Sequence, residues 1–238
     1  MIAIMLIFLF AGVVKGMIGL GLPTISMGLL SIIISPANAA SILIIPSLAT
    51  NIWQLFIGPD FFHLIKRLWG FILGIFIGTL FSILPNLTST SSWTETALGV
   101  MLIMYGIWGL IATRLPSPGN AETWLSPLIG YITGSITAAT GVFVIPAVPY
   151  LQSLQLNKNA LVQALGLAFT ASTIALAIHL SLDGKLDNAD LYLSTLSLIP
   201  AIAGMYIGQY LREIISETAF RRCFFIGLII LGTYMAIF

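Results

Sequence analysis

The stretch GMIGLGLPTIS, residues 16–26, decides the fold of this chain. Gly19 and Gly21 permit the backbone to leave the helical conformation. Pro23 suits the first turn of a new helix, where its missing N–H costs nothing. The surrounding residues 1–34 are mostly apolar and too long for a single crossing of about 20 residues. We therefore expect a helix that breaks at these glycines within an apolar region.

A second interrupted region covers residues 124–154 and contains SITAATGVFVIP, residues 135–146. Like the first region, it contains glycine and proline residues that can interrupt a helix, namely Gly130, Gly134, Gly141, Pro146 and Pro149. Each of the two regions fits either one long broken helix or a pair of helical segments that form a hairpin.

The composition indicates a polytopic integral membrane protein. Hydrophobic residues make up 58% of the 238 residues and charged residues only 7%, whereas a soluble domain has about 25% charged residues. The lipid bilayer is therefore the expected partner of most of the surface. A net charge of +1 without a basic patch gives no indication of nucleic-acid binding.

Six further apolar runs are candidates for membrane crossings, each of which needs about 20 mostly apolar residues. They are 38–57, 69–84, 95–112, 159–182, 190–210 and 219–237. The run 69–84 is somewhat short, and we expect His63, Lys66 and Arg67 in a cytoplasmic loop before it. The predicted fold is all-α, with each interrupted region followed by three crossings.

The basic residues distinguish between the two descriptions of the interrupted regions, because Lys and Arg in short loops mark the cytoplasmic side. If each region enters and leaves on the same side, seven basic residues share one face and Lys185 alone lies on the other. If each region crosses once, the same eight residues divide equally. The seven are Lys66, Arg67, Arg114, Lys158, Arg212, Arg221 and Arg222. We therefore predict two broken helical hairpins, with both termini outside the cell.

The two halves of the chain have glycines at corresponding positions, in the same order. Gly12 and Gly16 correspond to Gly130 and Gly134, Gly74 and Gly78 to Gly204 and Gly208, and Gly106 to Gly232. We predict a first repeat at 1–112, a cytoplasmic linker at 113–123 and a second repeat at 124–238. A hairpin plus three crossings is an odd number, so the second repeat enters from the opposite side. Substrate sites of inverted-repeat transporters lie near the bilayer midplane.

Five glycines at helical spacing are predicted to let helices pack closely, because small residues permit close backbone approach in lipid. They are Gly70, Gly74, Gly78, Gly204 and Gly208.

The two interrupted stretches are the candidate binding site. Non-helical backbone at membrane depth must be buried in protein or line a cavity, and a half-helix N-terminus attracts anions. The candidates are Gly19, Gly21, Pro23, Thr24, Thr137, Thr140 and Gly141. The alternative is that these residues only form tight turns.

Further candidates are polar residues within apolar segments. Lys15 could pair with an anion or extend to the interface, and Asn51, Gln54, Gln163 and Thr170 are the other candidates. Ser47, Thr50, Ser172 and Thr173 belong to the same polar patches, PSLATNIWQ and VQALGLAFTAST, but hydroxyls can also bond to their own helix. All Asp and Glu residues fall in loops or at segment ends, which favours an anion over a cation as the solute.

Four stretches, together with the late GxxxG pairs, are similar to a known family. They are GVVKGMIGLGLP (12–23), ANAASILIIPSLATN (37–51), GYITGSITAATGVFVIP (130–146) and NALVQALGLAFTAS (159–172). In these motifs the chain resembles the sulfite exporter TauE/SafE family of membrane permeases. The resemblance implies outward transport of sulfite, sulfoacetate or similar anions across a bacterial inner membrane, with residues 19–24 and 137–141 lining the site.

The predicted function is a secondary transporter that exports a small anion by alternating access, without a cofactor or metal. An anion channel or facilitator is one alternative, and a carrier of another small organic anion or of a cation is a second. An enzyme is not expected, because the chain has no HExxH, GxSxG or GxxxxGK[ST] motif. Association into a homo-oligomer is left open by the sequence.

Overall fold

A computed structural model of the chain shows α-helices joined by short connections in the described residues 1–88, 93–111 and 115–237. A 3₁₀ turn, Gly119–Ala121, precedes the second half. The α-helices are α1 (Ile2–Ile18), α2 (Leu22–Leu30), α3 (Pro36–Phe56), α4 (Phe61–Leu80), α5 (Trp93–Ile111), α6 (Glu122–Thr140), α7 (Ala147–Ser153), α8 (Lys158–Leu182), α9 (Asn188–Ile214) and α10 (Glu217–Ile237). The predicted all-α class is confirmed.

Six of these helices are long and apolar enough to cross a membrane. They are α3, α4, α5, α8, α9 and α10, and they correspond to the six predicted runs. The prediction for α4 was wrong at its start, because the helix begins at Phe61. His63, Lys66 and Arg67 lie within its first two turns rather than in a loop, since the apolar Leu64 and Leu68 give this polar segment a buried face.

Both predicted helix breaks are present, and the helix before each break ends in the same way. Helix α1 ends at Gly19, which has φ of +79° and donates its N–H to the carbonyl of Lys15. Helix α6 ends at Gly141, which has φ of +70° and donates its N–H to the carbonyl of Thr137. A glycine in this left-handed conformation is a common helix stop because it has no Cβ. Pro23 lies in the first turn of α2, as predicted.

Helix α1 packs along α9 through glycines on both helices. A Cβ on Gly12 would overlap the carbonyl oxygen of Ala201, and one on Gly208 would overlap that of Val13. The contacts advance in the same order along both helices, so α1 and α9 run in parallel. The two backbones are close enough that no larger side chain fits between them.

Helix α4 packs along α6 in a corresponding way. A Cβ on Gly74 would overlap the carbonyl oxygen of Pro127, and one on Gly134 would overlap that of Ile75. Gly78 faces the Tyr131 carbonyl in the same manner, whereas Gly70 makes only ordinary contact with the Pro127 ring. Each half therefore packs its first helix against the fourth helix of the other half.

The directions of the other helices follow from their contacts. Helices α3 and α8 are antiparallel, because Ser47 contacts Thr173 while Gln54 reaches the carbonyl of Val162. Helices α5 and α10 are also antiparallel, since Gly99 lies against Gly232 and Gly109 against Phe225. Corresponding helices of the two halves thus run in opposite directions, which is consistent with inverted repeats.

The helix directions also place each broken pair as a hairpin. Helix α9 runs parallel to α3, with Ser194 beside Ile45 and Gln209 near Trp53. Because α1 is parallel to α9, α1 and α3 run in the same direction and α2 must return between them. In the second half, α6 is parallel to α4. Both α4 and α8 run opposite to α3, so α6 and α8 run in the same direction. Helix α7 therefore returns between α6 and α8.

The boundary between the predicted domains is only partly described by the structure. Residues 112–114 lie outside the described residues. Arg114 is among them, so the structure does not describe all seven of the basic residues that we predicted to share the cytoplasmic face. Helix α6 begins at Glu122, two residues before the predicted second repeat. The division at 113–123 stays a prediction.

Candidate functional site

Lys15 is a buried lysine at the centre of the candidate site. Its side chain is only 4% exposed, although it lies in the last turn of α1 just before the helix break. Its ammonium group donates a hydrogen bond to the amide oxygen of Asn51 on α3, which is itself fully buried. Lys15 therefore turns into the protein and does not extend to the interface.

A chain of hydrogen bonds continues from Asn51 into the second half of the molecule. The Asn51 amide nitrogen donates to Ser47 Oγ at 3.1 Å, and Ser47 Oγ lies 3.0 Å from Thr173 Oγ1. The Thr173 hydroxyl donates to the carbonyl of Phe169 at 2.7 Å. The chain thus joins α1, α3 and α8.

The directions of these bonds can be assigned from the end of the chain. Thr173 uses its only proton on the Phe169 carbonyl, so Ser47 must donate to Thr173 and accept from Asn51. The Asn51 side chain then presents its oxygen, not its NH₂ group, to the Lys15 ammonium. Every donor points away from Lys15, an arrangement that favours positive charge there because successive hydrogen bonds polarise one another.

No carboxylate compensates this cation within the described part of the chain. Ion pairs seen there include Arg67 with Glu122 and His179 with Asp183, and none involves Lys15. Lys15 is also the one buried side chain among the Lys, Arg, Asp and Glu residues that the structure describes. A charge in such surroundings is costly unless it is paired, and the pairing of Lys15 with an anion stays a prediction.

The helix break of the second half lies against α2 of the first half. A Cβ on Gly141 would come within 2.9 Å of the sulfur of Met27, which belongs to α2. Gly21 has φ of +106° and faces Phe224 of α10 and Val14 of α1. The broken segments from the two halves therefore meet inside the protein, as an intramembrane site built from both would require.

Three predicted hydroxyl contacts donate to their own helices. Thr137 donates to the carbonyl of Thr133, Thr140 to that of Ile136 and Thr170 to that of Gly166. Thr140 also accepts from the N–H of Val142, so it helps to end α6. In this structure these hydroxyls have no proton left for an anion.

The two glutamines tie α3 to α8 away from Lys15. Gln163 donates to the carbonyls of Leu55 and Gly58 and accepts the N–H of Asp60, so its polar atoms are fully used at the end of α3. Gln54 donates to the carbonyl of Val162. Both side chains hold helices together in this structure.

The first two turns of α2 contain buried hydroxyls without partners. Within the described residues, Thr24 Oγ1 and Ser26 Oγ are buried and form no hydrogen bond. A buried polar group without a partner is costly. Thr24, beside Pro23 and three residues after Gly21, therefore has a hydroxyl proton that no acceptor in the described chain takes up, and its contact with a solute stays a prediction.

A cavity of about 200 Å³ lies between α3 and α9, and residues next to Asn51 in sequence line it. Gln209, a polar residue within an apolar helix, also lines it and is exposed at the surface. The other lining residues are Ala49, Thr50, Trp53, Ile202, Met205 and Tyr206, and Lys15 is not among them.

The structure thus brings some of the predicted site residues together and separates others. Lys15 contacts Asn51, and Gly141 lies against the α2 hairpin that contains Gly21 and Pro23. The assignment of any of these residues to a bound solute stays a prediction. The sequence signal that identified Lys15 and Asn51 was a polar side chain in an apolar helix.

The similarity to a known family extends over almost the whole chain. Residues 4–235 match the sequence model of one protein family, which is described as TauE: Sulfite exporter TauE/SafE. The chain belongs to the sulfite exporter TauE/SafE family. This TauE/SafE protein is therefore a multi-pass membrane permease of a transporter family, and at the family level it is not an enzyme. No curated protein and no solved structure matches this TauE/SafE protein.

Proposed function

We propose that this TauE/SafE protein is a secondary transporter that exports a small anion, a sulfur oxyanion or an organosulfonate. The family supports transport of a sulfur compound. The observation that carries the proposal is Lys15, a buried cation without a carboxylate partner in the described chain. An anion would supply the missing countercharge, and a cation would be repelled.

The same geometry supports alternating access. Lys15 is closed off from the surface, since only 4% of it is exposed. A solute can reach it only if the helices around it move. The broken hairpins are suited to this movement, because α2 has nine residues and α7 only seven and each is bounded by a helix break. In inverted-repeat transporters such segments meet at the substrate site.

The membrane potential can drive such export. In a cell that is negative inside, an anion leaves downhill, at about 2.3 kcal/mol for each charge and each 100 mV. Export through a bacterial inner membrane then needs no second ion. Coupling to another ion would appear as a dependence of the transport rate on that ion's gradient.

Substitution of Lys15 tests the proposal. Proteoliposomes that contain the full-length protein are loaded with ³⁵S-labelled sulfite or methanesulfonate, and the release of label is measured over time. We expect release above that of protein-free vesicles, and we expect Lys15→Met to raise the apparent KM for the anion at least about tenfold, because a charge-assisted hydrogen bond is worth about 1.5–3 kcal/mol.

The matched control is Lys66→Met, since Lys66 is exposed on α4. It should leave release unchanged. No release of either anion by the unaltered protein, or equal KM values for Lys15→Met and the unaltered protein, would contradict the proposed site. Counterflow of labelled anion against excess unlabelled anion separates a carrier from a channel, because only a carrier shows it.

A further inference from the structure

We infer that the Lys15 site accepts monoanions and discriminates against dianions of the same size and shape. The inference rests on the proposed function, since it concerns the charge of the solute bound at that site. Its basis is the count of fixed charges and of available hydrogen-bond donors around Lys15.

The site provides one positive charge. Helix α2 has no ionisable residue. His179 on α8 is buried, but it lies at the end of that helix with its Nε2 3.7 Å from the Asp183 carboxylate. The Lys, Arg, Asp and Glu side chains described on the other helices packed against α1 or α3 are not buried. Arg212 and Glu213 on α9, and Arg221 and Arg222 on α10, are exposed near helix ends. Solvent screens such groups, so they do not neutralise a charge inside the protein.

The second repeat does not add a cation. Its helix break has the same construction as the first, with Gly141 at the position of Gly19. The carbonyl that accepts the glycine N–H belongs to Lys15 in the first repeat and to Thr137 in the second. A site built by two similar hairpins therefore has a single ammonium group on one side.

The hydrogen-bond chain does not compensate a second negative charge. Asn51 presents an oxygen to Lys15 and directs its NH₂ group to Ser47, and the protons of Ser47 and Thr173 point farther away. An amide oxygen beside the bound anion disfavours additional negative charge. One Lys15 ammonium with one monoanion is neutral, whereas a dianion leaves one charge uncompensated in a buried site, which is strongly unfavourable.

Methanesulfonate and sulfate are suitable probes, because both are tetrahedral at sulfur and of similar size but carry one and two charges at neutral pH. Each is supplied with a ³⁵S label to proteoliposomes that contain the full-length protein. Equal K⁺ on both sides with valinomycin holds the membrane potential at zero, so the two charges experience no different driving force. We expect the apparent KM for methanesulfonate to be lower than that for sulfate by about tenfold or more.

Competition provides a second measurement with the same probes. Unlabelled methanesulfonate should inhibit the flux of labelled methanesulfonate, and sulfate should do so only at much higher concentration. If the KM for sulfate is equal to or lower than that for methanesulfonate, the inference is overturned. If Lys15→Met impairs transport in the same experiments, the proposed function stands. If Lys15→Met has no effect, or if neither anion is transported or inhibits, the proposed anion site is overturned and the inference with it.

Discussion

At the scale of single residues, the contact between Lys15 and Asn51 is the feature with most consequence. A lysine without a carboxylate partner would ordinarily be expected at a water-exposed position. Here it is held by the amide oxygen of Asn51, and that amide is oriented by Ser47 and Thr173. The amide stabilises the ammonium without cancelling its charge.

This contact leads to a prediction for Asn51→Asp, which replaces the amide by a carboxylate of the same shape. The carboxylate would pair with Lys15 permanently, and solvent would screen the pair little because both residues are buried. We expect the apparent KM for methanesulfonate to rise at least about tenfold, since the gain from pairing a buried charge is several kcal/mol. The maximal rate of the fraction that binds anion should change less.

The matched control for this substitution is Asn38→Asp on the same helix. Asn38 is exposed near the start of α3, where a carboxylate is favourable to the helix. It should transport as the unaltered protein does. A normal KM for Asn51→Asp would show that Lys15 is not the partner of the anion or that Asn51 does not face it.

At the scale of helices, glycines determine which elements can be neighbours. The two parallel interfaces, α1 with α9 and α4 with α6, use glycines on both partners. Lipid provides no hydrophobic force between helices, so close backbone contact has to supply the stability. This is the physical reason why glycines recur at corresponding positions of the two halves.

The consequence can be measured with Gly208→Ala. An added methyl group would overlap the carbonyl of Val13, and overpacking of this kind costs about 1–3 kcal/mol. The control is Gly227→Ala on α10, where a Cβ meets nothing within 4 Å. Since alanine is favoured over glycine in a helix by about 1 kcal/mol, the control should be neutral or stabilising.

The measurement is the thermal unfolding midpoint of each purified variant in one detergent. We expect a lower midpoint for Gly208→Ala and an unchanged or higher one for Gly227→Ala. The same midpoint for both variants would mean that the α1–α9 contact is looser than the structure has it.

At the scale of the whole molecule, the helix directions place both termini at the same end of the bundle. Helices α1 and α3 start at that end, and α10 returns to it because it is antiparallel to α5. The basic residues Lys158, Arg221 and Arg222 lie in the first turns of helices that begin at the other end. By the positive-inside rule, we propose that this other end faces the cytoplasm.

Labelling of single cysteines in intact cells tests this orientation. The native Cys223 is exposed and is first replaced by serine. Ser181 lies in the last turn of α8 and Ser216 just after α9, so these two exposed residues are at opposite ends of the bundle. We expect a membrane-impermeant maleimide to label Ser181→Cys in intact cells and Ser216→Cys only after permeabilisation. The reverse pattern would invert the proposed topology and the direction of transport that depends on it.

Much of the fold could be predicted from the sequence. The low proportion of charged residues required a membrane environment, and apolar runs of sufficient length located six helices. Gly19, Gly21, Pro23 and Gly141 located the breaks, because these residues tolerate or favour the required backbone conformations. The start of α4 was misplaced because polar residues at helix ends resemble a loop when their buried neighbours are unknown.

The candidate site was predictable only as a set of unusual residues. Each polar side chain within an apolar segment needs a hydrogen-bond partner, and this applies to one lysine, one asparagine and two glutamines. The sequence does not identify the partner of any of them. Gln163 forms its hydrogen bonds with backbone groups at the end of α3, whereas Lys15 on α1 donates a hydrogen bond to Asn51 on α3.

The sequence by itself therefore determined that this chain spans a membrane, where its helices break and which family it belongs to, because hydrophobic length and backbone preference are local properties. Only the tertiary structure decided that Lys15 is buried without a carboxylate partner in the described chain, that Asn51 turns its oxygen toward it and that the second break lies against α2. Those facts depend on helix directions and on contacts between residues far apart in the chain, and no local pattern specifies them.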